Sequence, residues 1–317
     1  MMSAGTSDSI RAETGAAGPR AIRRVPRSSG EYPAQLAAVP WAPEALYVWG
    51  CVTGDDALAV AVVGSRRATA YGLETAERLG ADLASRGVTV VSGLARGIDS
   101  AAHRGALAAG GRTIAVLGSG ADVIYPPENR ALARRIAESG AVVSQFEPAT
   151  RPLPYHFPER NRVIAGLALG VVVVEAAERS GSLITAGVAA ELGREVMAVP
   201  GRVTSAESRG AHRLIQDGAA LVQGWEDVIA QLPARWRACI RGPAGGDGAA
   251  TRPAEPRPEG DAAGVLDALG EEPVTIDEII EKSGIASGRV AALLVDLELG
   301  GRVRQIDGKR FVPAQRG

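Results

Sequence analysis

Between Leu58 and about Leu232, short apolar runs alternate with segments in which apolar residues recur every three to four positions. Continuous runs of Val, Ile and Ala predict strands buried on both faces, and the intervening segments predict helices. The predicted strands are LAVAVV, VTVV, TIAVLG, AVVSQ, VVVVE and EVMAV, with ALV as a further one. The predicted helices include YGLETAERLGADLAS, IDSAAHRGALAA, PENRALARRIAE, RNRVIAGLAL and SLITAGVAAELG. This pattern is typical of a doubly wound α/β domain, in which helices cover both faces of a mostly parallel sheet.

The pattern changes at both ends of this domain. Residues 1–30 are rich in Ala, Gly, Ser and Arg and predict a disordered leader, which a lead-in over 31–57 joins to the first strand. The α/β domain itself spans 31–238, and residues 239–260 form a Pro/Gly/Ala linker. In 261–317, three helical segments precede two short strands, VRQI and KRFV, joined by Asp307-Gly308. Three helices and a hairpin predict a small C-terminal winged-helix domain.

Composition narrows the class of protein. Of 317 residues, 46% are apolar and 22% are charged, and the net charge is −1. A nucleic-acid partner must therefore be argued from local patches rather than from overall charge. Cys51 and Cys239 lie far apart without a metal-type spacing, and no signal peptide or membrane span is evident. We expect a cytoplasmic protein with no membrane partner, no metal and no cofactor.

Glycine, serine and arginine recur where the predicted strands end. The loops after five strands read GSRR, SGLARG, GSG, AAERSGS and PGR. Glycine lets the backbone approach a ligand, exposed N–H groups bind anions, and arginine adds a planar fork that suits phosphate. Since these loops meet at one edge of the sheet, they predict a phosphate site. The dinucleotide G-x-G-x-x-G and Walker patterns are absent, which disfavours NAD and ATP chemistry.

The segment Phe157–Arg162 combines an aromatic ring with basic side chains. A basic groove with an aromatic platform is how proteins hold single-stranded nucleic acid without sequence preference. Alternatively, Phe157 is a hydrophobic staple, and Arg160 and Arg162 pair with Glu159 or Glu178. Both readings fit the sequence.

The central domain closely resembles the DNA-processing protein A (DprA/Smf) family. The resemblance covers about Tyr32 to Leu232 and rests on GSRRATAYG, SGLARGIDSAAH, GSGADVIYPPEN, FPERNRVIAGL, EAAERSGSLITA and VPGRV, which occur in the family's order. It implies an extended Rossmann-type domain that binds single-stranded DNA, forms a homodimer and loads the RecA recombinase, protecting incoming strands during natural transformation. It implies no enzymatic turnover. Two features depart from the family: the stretch before the match is short and mostly irregular, where many members have a helical domain, and His212 replaces the usual asparagine.

The resemblance also implies roles for individual residues. It assigns a phosphate-contacting loop, the loop beside it, the DNA groove and an anion site at a helix N-terminus. We expect Arg66 and Arg160 to lie outside the core, on one DNA path. The DNA-binding candidates are Gly64, Ser65, Arg66, Arg67, Gly93, Arg96, Gly97, Phe157, Arg160, Asn161, Arg162, Ser180, Gly181 and Ser182.

Three further residues are expected to support this site. Asp99 is interpreted as a helix N-cap, and Glu175 as the partner of one of the arginines. His103 falls one turn into the helix that begins near Asp99, where it either approaches the pocket or packs as a structural residue.

Other functions remain open on the sequence. A phosphoribohydrolase-like enzyme is disfavoured because ERSGSLITA replaces its PGGxGT-type loop, and a nucleotide sensor could use the same loops without turnover. The predicted recognition helix of the tail carries one arginine, Arg289, and two acids, which is a poor composition for reading duplex DNA. We interpret the tail as a protein-interaction or accessory module, with duplex contact by the hairpin as the alternative.

Overall fold

The computed structural model describes residues 21–241, 260–269, 274–299, 303–306 and 310–313. The chain divides into two compact units, Met1–Gly245 and Gly246–Gly317. Most of the predicted linker and residues 1–20 of the predicted leader lie outside the described residues.

The first unit is built on one sheet in which seven neighbouring strands run parallel. The strand order is β1-β2-β6-β5-β4-β3-β7-β8-β9, and only the pairs β1/β2 and β2/β6 are antiparallel. The mostly parallel doubly wound sheet predicted from the apolar runs is therefore confirmed. The strands are β1 (Ile22–Pro26), β2 (Ala45–Gly50), β3 (Ala59–Val63), β4 (Thr89–Ser92), β5 (Thr113–Val116), β6 (Ala141–Ser144), β7 (Gly170–Val173), β8 (Glu195–Ala198) and β9 (Ala220–Leu221).

Helices cover both faces of this sheet. Along β3, Val60 and Val62 enter the apolar cluster on one face, whereas Ala59, Ala61 and Val63 enter the cluster on the other. This period-two alternation between two buried faces explains why β3 reads as a continuous apolar run. The helices are α1 (Ala34–Ala37), α2 (Ala70–Ser85), α3 (Ile98–Ala108), α4 (Arg130–Ser139), α5 (His156–Leu167), α6 (Gly181–Glu191), α7 (Arg209–Gln216), α8 (Trp225–Gln231) and α9 (Ala234–Arg237). Across the described ranges, no helix combines the length and apolar character needed to cross a bilayer.

The strands β1 and β2 correct two predictions. Residues 22–26 belong to the predicted disordered leader, but they pair with β2 as an edge strand, and Val25 is buried in the core. No strand was predicted in the lead-in, yet β2 within it pairs with β6. Arg27 ties this region down because its guanidinium donates to the carbonyls of Ala37 (2.7 Å) and Val39 (3.2 Å).

The order of strand connections sets the position of the site. The parallel part of the sheet starts at its central strand, β3. From there the chain moves outward through β4, β5 and β6, and then returns to the other side of β3 with β7. Ligands of open α/β sheets bind beyond the carboxyl ends of the strands at such a switch point. In this fold the switch point lies between the loops that follow Val63 and Val173.

The second unit confirms the predicted winged-helix domain. Its helices are α10 (Asp261–Ala268), α11 (Ile276–Ser283) and α12 (Ser287–Leu299), and its sheet has the order β10 (Val274–Thr275), β12 (Arg310–Pro313), β11 (Val303–Ile306). The strand β10 was not predicted, and it leads directly into α11. Thr275 caps that helix, because its backbone N–H and hydroxyl donate to the Glu278 carboxylate at 2.6 and 2.8 Å.

Candidate functional site

A cavity of about 510 Å³ opens at the switch point. The loop after β3 and the start of α6 form opposite walls, and the first turns of α5 form a third. Several polar and basic residues predicted from the strand ends line it together. They are Gly64, Ser65, Arg66, Arg67, Asp99, Phe157, Arg160, Asn161, Ser180, Gly181 and Ser182.

The loop after β3 is held against its neighbours by backbone contacts. The Ser65 N–H donates to the carbonyl of Glu175 at 2.7 Å, and the Ser65 carbonyl accepts from the Ile98 N–H at 3.2 Å. A Cβ atom on Gly64 would lie 2.7 Å from the Glu175 carbonyl, so a larger residue would force the loop away. Gly97, which was predicted to be a DNA-binding residue, has a φ of 76° and packs directly against the Ser65 carbonyl. Gly97 itself does not line the cavity.

The opposite wall is the N-terminus of α6, where two serine hydroxyls contact each other. Ser180 caps α6 by accepting a hydrogen bond from the Ser182 N–H at 3.3 Å, and the two hydroxyls lie 2.8 Å apart. The Asn161 side chain donates to the Gly181 carbonyl at 3.1 Å and thereby joins α5 to this turn. Free N–H groups at such a helix start favour an anion.

Beneath the cavity, Arg160 and Asp99 form a buried charged pair. Arg160 is only 4% exposed, so the expectation that it lies outside the core is wrong. Its guanidinium donates to the carbonyls of Gly93 and of Val116 (2.7 Å). The Asp99 carboxylate accepts from the backbone N–H groups of Gly93 (3.1 Å) and Ala95 (3.4 Å). The two side chains thus fix the loop between β4 and α3.

Burial and charge act in opposite directions on this pair. Burial raises the pKa of the Asp99 carboxyl, and the nearby Arg160 guanidinium opposes that rise. Burial lowers the pKa of Arg160 to about 10, which leaves the guanidinium charged at neutral pH. Because the two charges are opposite, the pair adds little net charge to the groove, and its role is to fix the loop between β4 and α3.

A smaller cavity of about 290 Å³ adjoins the larger one and has an aromatic wall. Phe157 lies between Tyr125, whose ring centroid is 5.9 Å away, and Arg66, whose guanidinium carbon is 5.2 Å from the ring centroid. The two cavities share five lining residues, so they form one continuous groove, named the switch-point groove below. The shared residues are Arg66, Arg67, Ala95, Phe157 and Arg160.

Arg96 and Gly93 belong to the smaller cavity. The Arg96 Nε makes a short ion pair with the Glu128 carboxylate, and both side chains are more than 45% exposed, at 63% and 49%. That hydrogen bond raises the pKa of Arg96. Arg96 is thus held by an acid at the rim of the groove.

Residues 23–233 match the family model described as DNA recombination-mediator protein A, and residues 249–309 match the DprA winged helix domain. The chain belongs to the DNA recombination-mediator protein A family. It is 41% identical to Protein Smf of Escherichia coli over 292 residues, which cover 90% of this chain and 75% of that protein. It is 46% identical to DNA processing protein DprA of Streptococcus pneumoniae over 201 residues, which cover 63% of this chain and 71% of that one.

Solved structures of this family have the same fold. The X-ray structure of DprA from Streptococcus pneumoniae matches with a TM-score of 0.63 and 44% identity, over 67% of this chain and 75% of that one. A DprA structure from Helicobacter pylori, whose description concerns its single-stranded DNA binding mode, matches with a TM-score of 0.57 and 30% identity, over 62% of this chain and 91% of that one.

Two of the three residues expected to support the site have other positions or partners than expected. Asp99 is the second residue of α3, and Gly97 is the N-cap instead. The Glu175 carboxylate accepts from the backbone N–H (2.9 Å) and hydroxyl (2.6 Å) of Thr69 at the start of α2, and not from an arginine. Both predictions were wrong because each carboxylate accepts hydrogen bonds from nearby backbone N–H groups, which need a partner where they are buried.

Two further predicted residues, Arg162 and His103, do not line the groove. Arg162 is exposed on α5, and its guanidinium carbon lies 4.6 Å from the centroid of the Trp41 ring. His103 is fully buried, with its Nδ1 atom 2.7 Å from the Thr113 hydroxyl, and burial lowers its pKa to about 3. Of its two sequence interpretations, the packed structural histidine fits these contacts.

Three aromatic or charged groove residues were absent from the predicted site. Tyr125, 43% exposed, follows the loop after β5 and lines the smaller cavity. Arg179 and Glu207 line the larger cavity. Arg179 and Tyr125 lie inside stretches that the family resemblance already contained, so the signal was present. Glu207 lies beyond the PGR loop after β8, and no sequence pattern pointed to it.

Proposed function

We propose that this protein binds single-stranded DNA in the switch-point groove. The observation that carries the proposal is the meeting of four arginines from three loops with an aromatic wall in one continuous groove. Those arginines are Arg66, Arg67, Arg96 and Arg179. Guanidinium groups suit phosphate oxygens, and an exposed aromatic ring offers a base a stacking partner whatever its sequence. Family membership and the description of the Helicobacter pylori relative support the same ligand.

The charge distribution favours a strand over a compact nucleotide. Arg96 and Arg179 line different cavities, and the groove between them contains Arg66, Arg67 and the Phe157 ring. A flexible polyanion can contact all of these groups, whereas a mononucleotide offers phosphate to only one end. If each of the four arginines neutralises one phosphate, the log–log salt slope will be about −3 at most.

The test is a binding titration by fluorescence anisotropy with oligo-dT, duplex of equal length and a mononucleotide at two salt concentrations. We expect oligo-dT to bind most tightly and its affinity to fall with salt. Arg66→Ala should weaken binding, because it removes a charged hydrogen bond worth about 1–3 kcal/mol. Arg134→Ala is the charge-matched control, since Arg134 is exposed on α4 and lines neither cavity. Tighter binding of the mononucleotide, or equal affinities of the two variants, would contradict the proposal.

The biological part of the proposal is that the bound strand is protected and passed to the RecA recombinase during natural transformation, with the protein acting as a homodimer in the cytoplasm. The test is RecA filament formation on DNA covered by a single-strand-binding protein, with wild type and Arg66→Ala compared. Wild type should accelerate filament formation, and Arg66→Ala should accelerate it less. Light scattering during size-exclusion chromatography measures whether the protein is dimeric.

We further propose that the winged-helix unit is accessory to strand binding. A chain ending after Arg241, which keeps α9 and the contacts of Trp236 and Ile240 with the core, should then retain most of its affinity for oligo-dT. A loss of more than about tenfold, or roughly 1.4 kcal/mol, would mean that the C-terminal unit belongs to the primary site.

A further inference from the structure

Glu207 is an acid inside a groove that otherwise collects arginines. It lies in a short 3₁₀ turn, Ala206–Ser208, between β8 and α7, and it lines the larger cavity opposite the loop after β3. The Ser65 hydroxyl donates to its carboxylate with an oxygen–oxygen distance of 2.7 Å. The contact joins residues 142 positions apart, so the fold alone brings them together.

The carboxylate uses a donor that a phosphate would also use. The Ser65 hydroxyl accepts from the Arg67 N–H at 3.1 Å, and its single proton is donated to Glu207. Carboxylate and phosphate oxygens compete for the same hydroxyl and N–H donors, because both are anionic acceptors with similar geometry. A strand phosphate at this loop must therefore either displace Glu207 or bind next to a like charge.

Glu207 differs from the other acids around the groove, each of which lies beside an arginine. Asp99 faces Arg160, and Glu128 pairs with Arg96 at the rim. Within the described ranges, no arginine or lysine forms an ion pair with Glu207. Its negative charge is therefore not neutralised by a direct partner.

The segment that carries Glu207 combines exposed residues with the buried Ser208. The residues just before it, Arg202 to Thr204, are exposed, and Val203 is 84% exposed. The helix after it is anchored independently, because the Gly210 N–H donates to the Ala176 carbonyl at 2.7 Å. Rotation of the Glu207 side chain would free the Ser65 hydroxyl.

We propose that Glu207 is a tethered anion that occupies a phosphate position at the Gly64–Arg67 loop and thereby lowers the affinity of the groove for DNA. The proposal rests on the proposed function, since it concerns the same groove. It assigns Glu207 the role of an affinity-determining residue, which releases Ser65 when a strand phosphate takes its place.

The test compares Glu207→Gln with wild type, using oligo-dT and inorganic pyrophosphate as separate probes. The amide removes the charge but keeps an oxygen that accepts from Ser65. We expect about tenfold tighter binding of both probes, equivalent to about 1.4 kcal/mol. The salt slope for oligo-dT should become steeper by less than about 0.7, the contribution of one phosphate. Glu138→Gln is the matched control, because it removes the same charge from an exposed position on α4 outside the groove.

A double-mutant cycle with Ser65→Ala tests the tether itself. Without the hydroxyl, Glu207 is no longer held at the loop, so the gain from Glu207→Gln should shrink. An equal gain in both backgrounds would mean that the charge acts at a distance, and it would overturn the tethered-anion assignment. Weaker binding of both probes by Glu207→Gln would overturn it too, because Glu207 would then orient Ser65 for the ligand, and unchanged binding would mean that Glu207 has no effect on affinity.

The outcomes separate this inference from the proposed function. If wild type and Arg66→Ala bind oligo-dT equally, the proposed function fails, while the pyrophosphate measurement still decides the role of Glu207. If Arg66→Ala weakens oligo-dT binding but Glu207→Gln changes neither probe, only the tethered anion is wrong. If wild type and Glu207→Gln bind neither probe, both proposals are wrong.

Discussion

Replacing Arg160 should destabilise the whole first unit, although its sequence context suggested a surface contact with DNA. The Arg160 guanidinium donates hydrogen bonds to the carbonyls of Gly93 and Val116 and faces the buried Asp99 carboxylate. Arg160→Ala would leave two carbonyl groups without their donor and a buried carboxylate without its opposite charge. The loop between β4 and α3 would lose its support from below.

The magnitude follows from the loss of one member of a buried pair. Removing one partner of such a pair decreases the free energy of unfolding by about 3–5 kcal/mol, because the remaining charge stays buried. In a domain of this size, each kcal/mol lowers the melting temperature by about 2–4 °C. We therefore expect a decrease of about 6–20 °C. Arg66→Ala is the control, since Arg66 is exposed and surface substitutions change stability by about 0.5 kcal/mol or less.

Urea unfolding monitored by tryptophan fluorescence measures this difference in the full chain. The four tryptophans are Trp41, Trp49, Trp225 and Trp236, so the signal reports on the first unit alone. The double variant Asp99→Asn/Arg160→Met should be more stable than the sum of the two single losses predicts, because it removes both charges together. An Arg160→Ala protein within about 1 kcal/mol of wild type would refute the buried-pair interpretation.

Three further predictions concern single residues in and around the groove. Phe157→Ala should weaken oligo-dT binding by about 1–3 kcal/mol with an unchanged salt slope, because a stacking ring carries no charge; a lowered melting temperature with wild-type affinity would remove Phe157 from the site. Arg162→Ala should leave both affinity and salt slope unchanged in the same anisotropy titration, since its guanidinium packs on Trp41; weakening equal to that of Arg66→Ala would contradict this. His103 has a pKa lowered to about 3, so its contribution to stability is complete above its unfolded pKa and is lost as the pH falls towards 3. Wild type should therefore lose about 2 kcal/mol more than His103→Gln in urea unfolding between pH 7 and pH 5, and equal losses would refute a buried neutral imidazole.

The central sheet was predictable because its strands bury both faces and therefore carry an unbroken apolar signal. The strands β1 and β2 were missed for the opposite reason. β1 contains Arg23, Arg24 and Pro26 and has one core residue, Val25, so its sequence looks like a polar leader. Its strand conformation depends on backbone pairing with β2, which is a tertiary contact and leaves little trace in local composition.

The location of the site was predictable, but the role of each side chain was only partly so. Glycines and arginines at strand ends indicated the groove, because parallel strands bring their carboxyl ends to one edge. The sequence could not tell that Arg160 reaches carbonyls 67 and 44 positions away, whereas Arg162, two residues later, points to Trp41. A helix turns by about 100° per residue, so positions two apart face different surroundings.

The net charge of −1 and the collection of arginines in the groove are compatible because charges act over short distances in salt solution. At physiological ionic strength, exposed charges are screened beyond about 8 Å. A strand in the groove would therefore be attracted by Arg66, Arg67 and Arg179 and hardly affected by acids on the far side of the unit. Glu207 lies in the same cavity as these arginines, so a single acid there opposes binding more than many acids elsewhere. Affinity for a polyanion is thus set by the few charges within one screening length of the groove, which is why the overall composition contained no indication of the ligand.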